Sequence, residues 1–297
     1  MKPKDARPVL LKDQTNGRAI RHSSMRGSSC RQMPWTDTIR ILRWRWVAVV
    51  ASGNHSRNRL LAALPDADWE SVRSGFQRTE LAARTVLYEP GDRICRLYFP
   101  TTAIVSSVCA FEDGSAVEMV ATGREGMIAV EAVLGSETAL SRQVVQVPGS
   151  SLMIDLRQFR RAQDELPFFS DALLAYSQAV LAQALQSAAC NGVHAVQERA
   201  ARWLLMCHDR SDSATFALTQ SSLAEMLGVS RQAVSIVARA LQQAELIRYR
   251  RGEVTILSRR GLEQASCECY GIIRQHYDER LLPSQQQGRR ASAAADS

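Results

Sequence analysis

Leu218 to Leu257 reads LTQSSLAEMLGVSRQAVSIVARALQQAELIRYRRGEVTIL, two short helical periods on either side of a glycine followed by a basic hairpin. Thr219 is placed to cap the free amides of a first helix that buries Leu223, Met226 and Leu227. Gly228 lets the backbone turn, and Ser230 caps a second helix. Val234, Val237, Ala238 and Leu241 fall at the i, i+3, i+4, i+7 spacing of an inward stripe. The opposite face carries Arg231, Gln232, Ser235 and Arg239, side chains that can donate to base edges or phosphates. Residues 246–249 and 254–257 alternate as two strands, with Arg250, Arg251 and Gly252 between them. Cap, turn, polar helix face and basic hairpin come in the order of a winged helix-turn-helix, whose second helix fits the major groove of double-stranded DNA. Taken alone, any helical hairpin could be a packed pair with a solvated face; the conjunction of these four features sets this one apart.

The segment LTQSSLAEMLGVSRQAVS resembles LTxxxLAxxLGxSRxxVS of the Crp/Fnr family of bacterial transcription regulators. Residues 87–100, LYEPGDRICRLYFP, resemble the early strands and Pro-Gly turn of that family's cyclic-nucleotide-binding-like β-roll, and Asp113-Gly114 resembles a later hairpin turn in it. The similar regions run from about Leu60 to Leu282. The expected class is α+β: an N-terminal antiparallel, jelly-roll-like β-roll, a long dimerisation helix and a C-terminal winged helix-turn-helix. The expected divisions are a basic extension at 1–59, an effector domain at 60–166, dimerisation helix and hinge at 167–193, a DNA-binding domain at 194–282 and a tail at 283–297.

A chain of 297 residues with 45% apolar content can fill two cores. Its charge is uneven. Residues 1–59 hold 13 basic against three acidic residues, 60–195 hold ten against 16, and 196–297 hold 14 against 11. The net +7 therefore comes mainly from the leader, and the placement of Arg231, Arg239, Arg250 and Arg251 says more about DNA than the total does. The leader is rich in Ser, Gly and Arg and lacks a sustained apolar period, so it reads as a disordered basic extension, with a functional start near Leu60 as the alternative. Residues 39–51 are too short and too charged to span a membrane, and no secretory signal is readable. The expected location is the cytoplasm, with no membrane partner.

From Leu60 onward the sequence predicts a short helix with Trp69 and Val72, then strands at 85–88, 96–99, 104–111, 116–122, 143–147 and 151–155, punctuated by glycines. Such strands closing on themselves leave a central pocket of the kind in which the resembling family binds its effector. In cyclic-AMP-binding members the Gly opening the phosphate cassette is followed by Glu, and a later Arg-Ser/Thr pair binds phosphate. Here Glu125 and Gly126 precede Met127, which cannot accept a ribose hydrogen bond, and Ser141-Arg142 has the order reversed. The resemblance therefore implies an effector pocket at these five residues but argues against cyclic AMP, leaving another small effector or a ligand-free domain. Arg124, Glu125 and Arg142 read equally well as a solvated turn or a structural ion pair. No cofactor is required.

Residues 168–189 predict a long helix in which Leu173, Leu174, Ser177, Val180, Leu181, Ala184, Leu185 and Ala188 keep an apolar seam. The resemblance implies that this helix pairs with its copy; packing on its own β-roll is the alternative. Cys190-Asn191-Gly192-Val193 is expected to end it as a hinge before a helix at 195–207. A two-fold dimer sets two recognition helices one DNA turn apart, so the operator is expected to be an inverted repeat.

On that docking Arg231 contacts a guanine, Gln232 a second base, and Ser235 a base edge or phosphate. Thr219, Ser221 and Ser230 hold the backbone at the helix starts, and Arg239, Arg250 and Arg251 meet phosphates. The resembling family usually has Glu at Gln232 and Arg at Ile236, so the operator is expected to differ from that family's best-known site. RNA polymerase is a further candidate partner.

The seven cysteines include no CxxC pair, and the spacing by which the oxygen-sensing branch of the resembling family holds its cluster is missing. Cys267 and Cys269 form a CxC with His276 beyond it. On a helix, positions i and i+2 lie about 200° apart, which would aim the two sulfurs at different faces. Structural cysteines and no metal site are therefore expected, with metal or redox chemistry as the alternative. The five histidines are dispersed, and neither a glycine-rich phosphate loop nor a GxSxG elbow is present, which argues against an enzyme. The competing class is a ligand- or metal/redox-sensing adaptor whose winged domain contacts protein.

Overall fold

The computed structural model describes residues 56–112 and 115–281. Nearly all of the expected basic extension, the Asp113-Gly114 turn and the 283–297 tail lie outside these residues. Two short helices, α1 (Arg59–Ala62) and α2 (Asp66–Val72), precede seven strands: β1 (Gln77–Leu81), β2 (Val86–Tyr88), β3 (Arg96–Pro100), β4 (Ile104–Ala110), β5 (Ala116–Thr122), β6 (Arg142–Val147) and β7 (Gly149–Asp155). They form two antiparallel sheets, ordered β1-β7-β3 and β2-β6-β4-β5. Leu97, Phe99, Ile104, Val108 and Ile154 are fully buried between them, as alternating apolar positions require. The β-roll read from the sequence is present, with strand ends within two residues of expectation. Two of its neighbours were not legible: β1, whose QRTEL is largely exposed and polar, and α3 (Leu156–Glu165), which begins where Asp155 caps Arg157 N.

The long helix, α4 (Pro167–Val193), starts on its proline and runs past the expected stop. Cys190-Asn191-Gly192-Val193 remains helical, and the chain leaves the helix at His194. The expected seam divides into two faces. Leu173, Tyr176, Val180, Gln183, Ser187 and Cys190 turn inward and are buried, whereas Leu174, Leu181, Leu185 and Ala188 point outward and are exposed. Inward, the Tyr176 hydroxyl donates to Met127 O at 2.9 Å. The ring sits so close to Gly126 that a Cβ there would lie 2.0 Å from it, so only glycine fits.

α5 (Val196–Arg210) follows, with every residue from Arg199 to Cys207 buried, the two arginines Arg199 and Arg202 included. The remaining elements are β8 (Thr215–Ala217), α6 (Gln220–Leu227), α7 (Arg231–Gln243), β9 (Ile247–Arg250), β10 (Glu253–Ile256), α8 (Arg259–Ala265) and α9 (Cys269–Leu281). β8, unseen in the sequence because three residues carry no period, pairs with β10 to make a three-stranded wing, ordered β8-β10-β9. α9 returns to pack along α4, where the Tyr277 hydroxyl donates to Gln183 Oε1 at 2.7 Å and Gln183 Nε2 reaches Ala121 O at 3.3 Å.

Candidate nucleic-acid interface

The helix-turn-helix forms by the local chemistry read from the sequence. Thr219 Oγ1 accepts from Ser222 N at 3.0 Å at the start of α6, and Ser230 Oγ accepts from Ala233 N at 3.2 Å at the start of α7. Gly228 ends α6 in the left-handed region at φ 62°, on a side of the turn where a Cβ would come within 3.2 Å of the Val117 side chain of β5. α6 packs against α7, and Leu223, Met226, Leu227, Val234, Val237 and Leu241 are buried in a common core. That packing fixes which face of α7 is free. Arg231, Gln232, Ile236 and Arg239 are exposed on it, and Ser235 is half-buried, its hydroxyl donating to Gln220 Oε1 at 2.8 Å. Ser221 is exposed at the first turn of α6.

The wing continues this surface. Arg250 and Arg251 are exposed at its tip, and the two-residue Arg251-Gly252 turn joins β9 to β10. Tyr249 fastens the wing to the segment that leads into α6: its hydroxyl donates to Leu218 O at 2.6 Å, and burial pushes its pKa up to about 12. Arg248 belongs to the same face and was missed. It shares a shallow concavity with Thr215, Arg250, Arg251, Glu253 and Thr255, and its place in a strand, rather than at the turn, concealed it.

The five residues expected to form an effector pocket are dispersed among other duties. Glu125 accepts from Arg210 Nε at 2.7 Å in an almost fully buried ion pair between the β-roll and α5. Burial acts to lower the pKa of Arg210, but the Glu125 charge outweighs it and holds the guanidinium above its ordinary range. Gly126 lies under Tyr176, and Met127 is buried in the core. Ser141 Oγ accepts from Gln143 Nε2 at 3.0 Å, and Arg142 pairs with Glu89 at 3.3 Å. Only Glu125 of the five borders the polar cleft beneath α9, with Arg59, Arg124, Arg259 and Asp209 among its other walls. A second buried acid lies nearby: Glu118 accepts from Trp203 Nε1 at 2.9 Å and from the Ser106 hydroxyl, and burial raises its pKa.

The cysteines are not arranged as the sequence led one to expect. Cys267 lies in the turn between α8 and α9, and Cys269 is the first residue of α9, so the helical 200° offset does not apply. Both sulfurs face Cys190 and His194 at the end of α4, while His276 takes no part in the group. His194 is outside any CxC reading because it lies 73 residues before Cys267.

Residues 198–265 match the model of the Crp-like helix-turn-helix domain. The chain therefore carries a Crp-like helix-turn-helix domain at 198–265 on a fold of the Crp/Fnr type. Among solved structures, FixK2 of Bradyrhizobium japonicum is similar at a TM-score of 0.57 and 15% identity, covering 65% of this chain and 98% of FixK2. The c-di-GMP responsive global regulator CLP of Xanthomonas campestris, which links cell-cell signaling to virulence gene expression, is similar at 0.52 and 18% identity, covering 65% and 99%. A structure from Eubacterium rectale assigned to the crp/fnr family of transcriptional regulators gives 0.50 and 14%, covering 68% and 94%. No curated protein sequence matches the chain. The Crp/Fnr-type architecture accounts for both sheets, α4 and the winged domain. No helix among the described residues is long and apolar enough to cross a membrane.

Proposed function

We propose that this regulator binds an inverted-repeat operator as a homodimer, with its sequence preference set by α7. The observation that carries this reading is the free face of α7, where Arg231, Gln232, Ile236 and Arg239 stand exposed on a helix held by capped, buried packing. Arg231 reads a guanine bidentately, and Gln232 reads a second base, with adenine the best match to its amide. Ser235 reaches a base edge or phosphate. Ile236, 71% exposed, offers an apolar contact to a thymine methyl rather than a hydrogen bond. Thr219, Ser221 and Ser230 position the two helices, and Arg239, Arg250, Arg251 and Arg248 engage the phosphate backbone.

The outward face of α4 supports the dimer. Leu174, Leu181, Leu185, Ala188 and Gly192 follow one another at intervals of seven, four, three and four and are all exposed, the pattern of a two-helix seam ending in small residues that permit close approach. The β-roll is the sensing half of this reading. Glu125 ties its 123–127 loop to α5 through Arg210, and Val117 of β5 touches the turn at Gly228, so a ligand that moved this sheet would move the DNA-binding helices. Because Glu125, Gly126 and Met127 are already engaged, a cyclic AMP cassette at these positions is disfavoured.

The test is a footprint and gel shift on the upstream region of the protein's own gene over a range of salt. A protected inverted repeat with half-sites one helical turn apart, and affinity falling steeply with salt, supports the reading. Equal binding to every duplex refutes sequence-specific control.

A further inference from the structure

We propose that Cys190, His194, Cys267 and Cys269 form a Cys3His site that binds one zinc ion. The four come from two places 73 residues apart or more in sequence. Cys190 lies in the last turn of α4 and His194 is the residue that caps it, its backbone N–H donating to Cys190 O, and Cys267 and Cys269 flank Glu268 in the turn entering α9. Their ligand atoms all lie within 4.8 Å of one another.

The distances match a tetrahedral ion. Zinc bonds of about 2.3 Å to sulfur and about 2.0–2.1 Å to nitrogen place tetrahedral ligand atoms roughly 3.5–3.8 Å apart. Cys190 Sγ and Cys267 Sγ are 3.6 Å apart, and Cys269 Sγ and His194 Nδ1 are 3.5 Å apart. Three sulfurs and one imidazole are soft donors that select zinc over magnesium or calcium. Atoms this close leave room for one ion and not for an iron-sulfur cluster.

The surroundings are those of a ligand set. His194 turns Nδ1 toward the sulfurs and Nε2 toward Glu268 Oε1 at 3.3 Å, the carboxylate–histidine arrangement that fixes the tautomer of a metal-bound imidazole. Gln186 Nε2 donates to Cys269 Sγ at 3.0 Å. The three cysteines are at most 5% exposed and form a separate buried group of their own, apart from the apolar core.

Charge balance gives an independent argument. Arg199 and Arg202 are buried beside the group, and the Nε of each has no hydrogen-bond partner among the described residues. Their charges act on Cys190, and Arg199 is also influenced by Cys267. Three thiolates around a dication carry one net negative charge, which offsets one of these two guanidinium charges, while the buried Glu118 also acts on Arg202.

All four positions are filled by protein, so the site is structural: the ion clips the α8–α9 turn to the end of α4, where the chain passes into α5. A disulfide between Cys190 and Cys267 would use two of the four groups and leave no role for His194, Cys269 and Glu268.

The experiment uses the full chain purified under reducing, oxygen-free conditions. One zinc per chain by elemental analysis is expected, and replacement by cobalt(II) should give the ligand-field and thiolate charge-transfer absorption of a tetrahedral sulfur site. Glu268→Gln is exposed and should fold, and it should weaken zinc affinity by about 10-fold or more. Less than a tenth of an equivalent of zinc after reconstitution, no thiolate band with cobalt, unchanged affinity in Glu268→Gln, or a Cys190–Cys267 disulfide in the oxygen-free protein would each overturn the proposal.

Discussion

Arg210 Nε lies 2.7 Å from Glu125 Oε1, and the two side chains are 7% and 5% exposed. The same guanidinium donates to Ala121 O at 3.1 Å and, within α5, to Met206 O at 2.8 Å, so one side chain fastens α5 to the β-roll at two points. Removing one partner of such a pair strands the other charge in a dry site. Arg210→Met should therefore cost roughly 3–5 kcal/mol in urea unfolding, while adding Glu125→Gln to it should recover part of that loss. A double variant as unstable as the sum of its singles would show that the pair does not couple.

Glu118 gives the fold a pH signature of defined sign. Burial raises its pKa in the folded state, so as pH rises the unfolded chain releases this proton first. Stability from this residue is retained below the ordinary Glu range and lost as pH climbs from there toward the raised folded value. Glu118→Gln keeps an acceptor for Trp203 and removes the titration. Its stability relative to the unaltered chain should thus improve between pH 4 and pH 7; a difference that stays constant across that range would refute the assignment.

The outward seam of α4 predicts assembly. Leu181 and Leu185 are 60% and 66% exposed, so replacing both with lysine should leave monomer stability within about 0.5 kcal/mol. In sedimentation the variant should be monomeric where the unaltered chain is a dimer, and its operator affinity should fall with it. If the variant sediments as the unaltered chain does, dimerisation uses another surface.

These outcomes also mark what was readable from sequence. The helix-turn-helix was legible because each of its determinants is local: Thr219 and Ser230 cap the helices they precede, and Gly228 turns as only a residue tolerant of positive φ does readily. The end of α4 was not, because Gly192 weakens a helix without ending one, and the packing of α9 against the helix holds that last turn in register. Glu125 was singled out for a ligand because its neighbour Gly126 resembles a cassette glycine. Its real partner, Arg210, is 85 residues away, and Gly126 is glycine because Tyr176 occupies its side-chain space. The cysteine group was hidden for the same reason: spacing along the chain does not report a turn that folds back onto a helix end.

The last prediction separates base reading from phosphate contact within the winged domain. Arg231 stands at the first turn of α7 with its side chain exposed, and Arg251 stands at the wing tip on the turn from β9 to β10. Arg231→Ala should cost about 1–3 kcal/mol on the preferred operator and relax choice at one base pair, because a bidentate guanine contact is lost. Arg251→Ala should weaken all duplexes alike and reduce the slope of log K against log salt by about 1, since one counterion-releasing contact is removed. Binding titrations at four salt concentrations on the operator and on single-base variants measure both. Unchanged base preference in Arg231→Ala would place another residue, with Gln232 the next candidate, at the specifying contact.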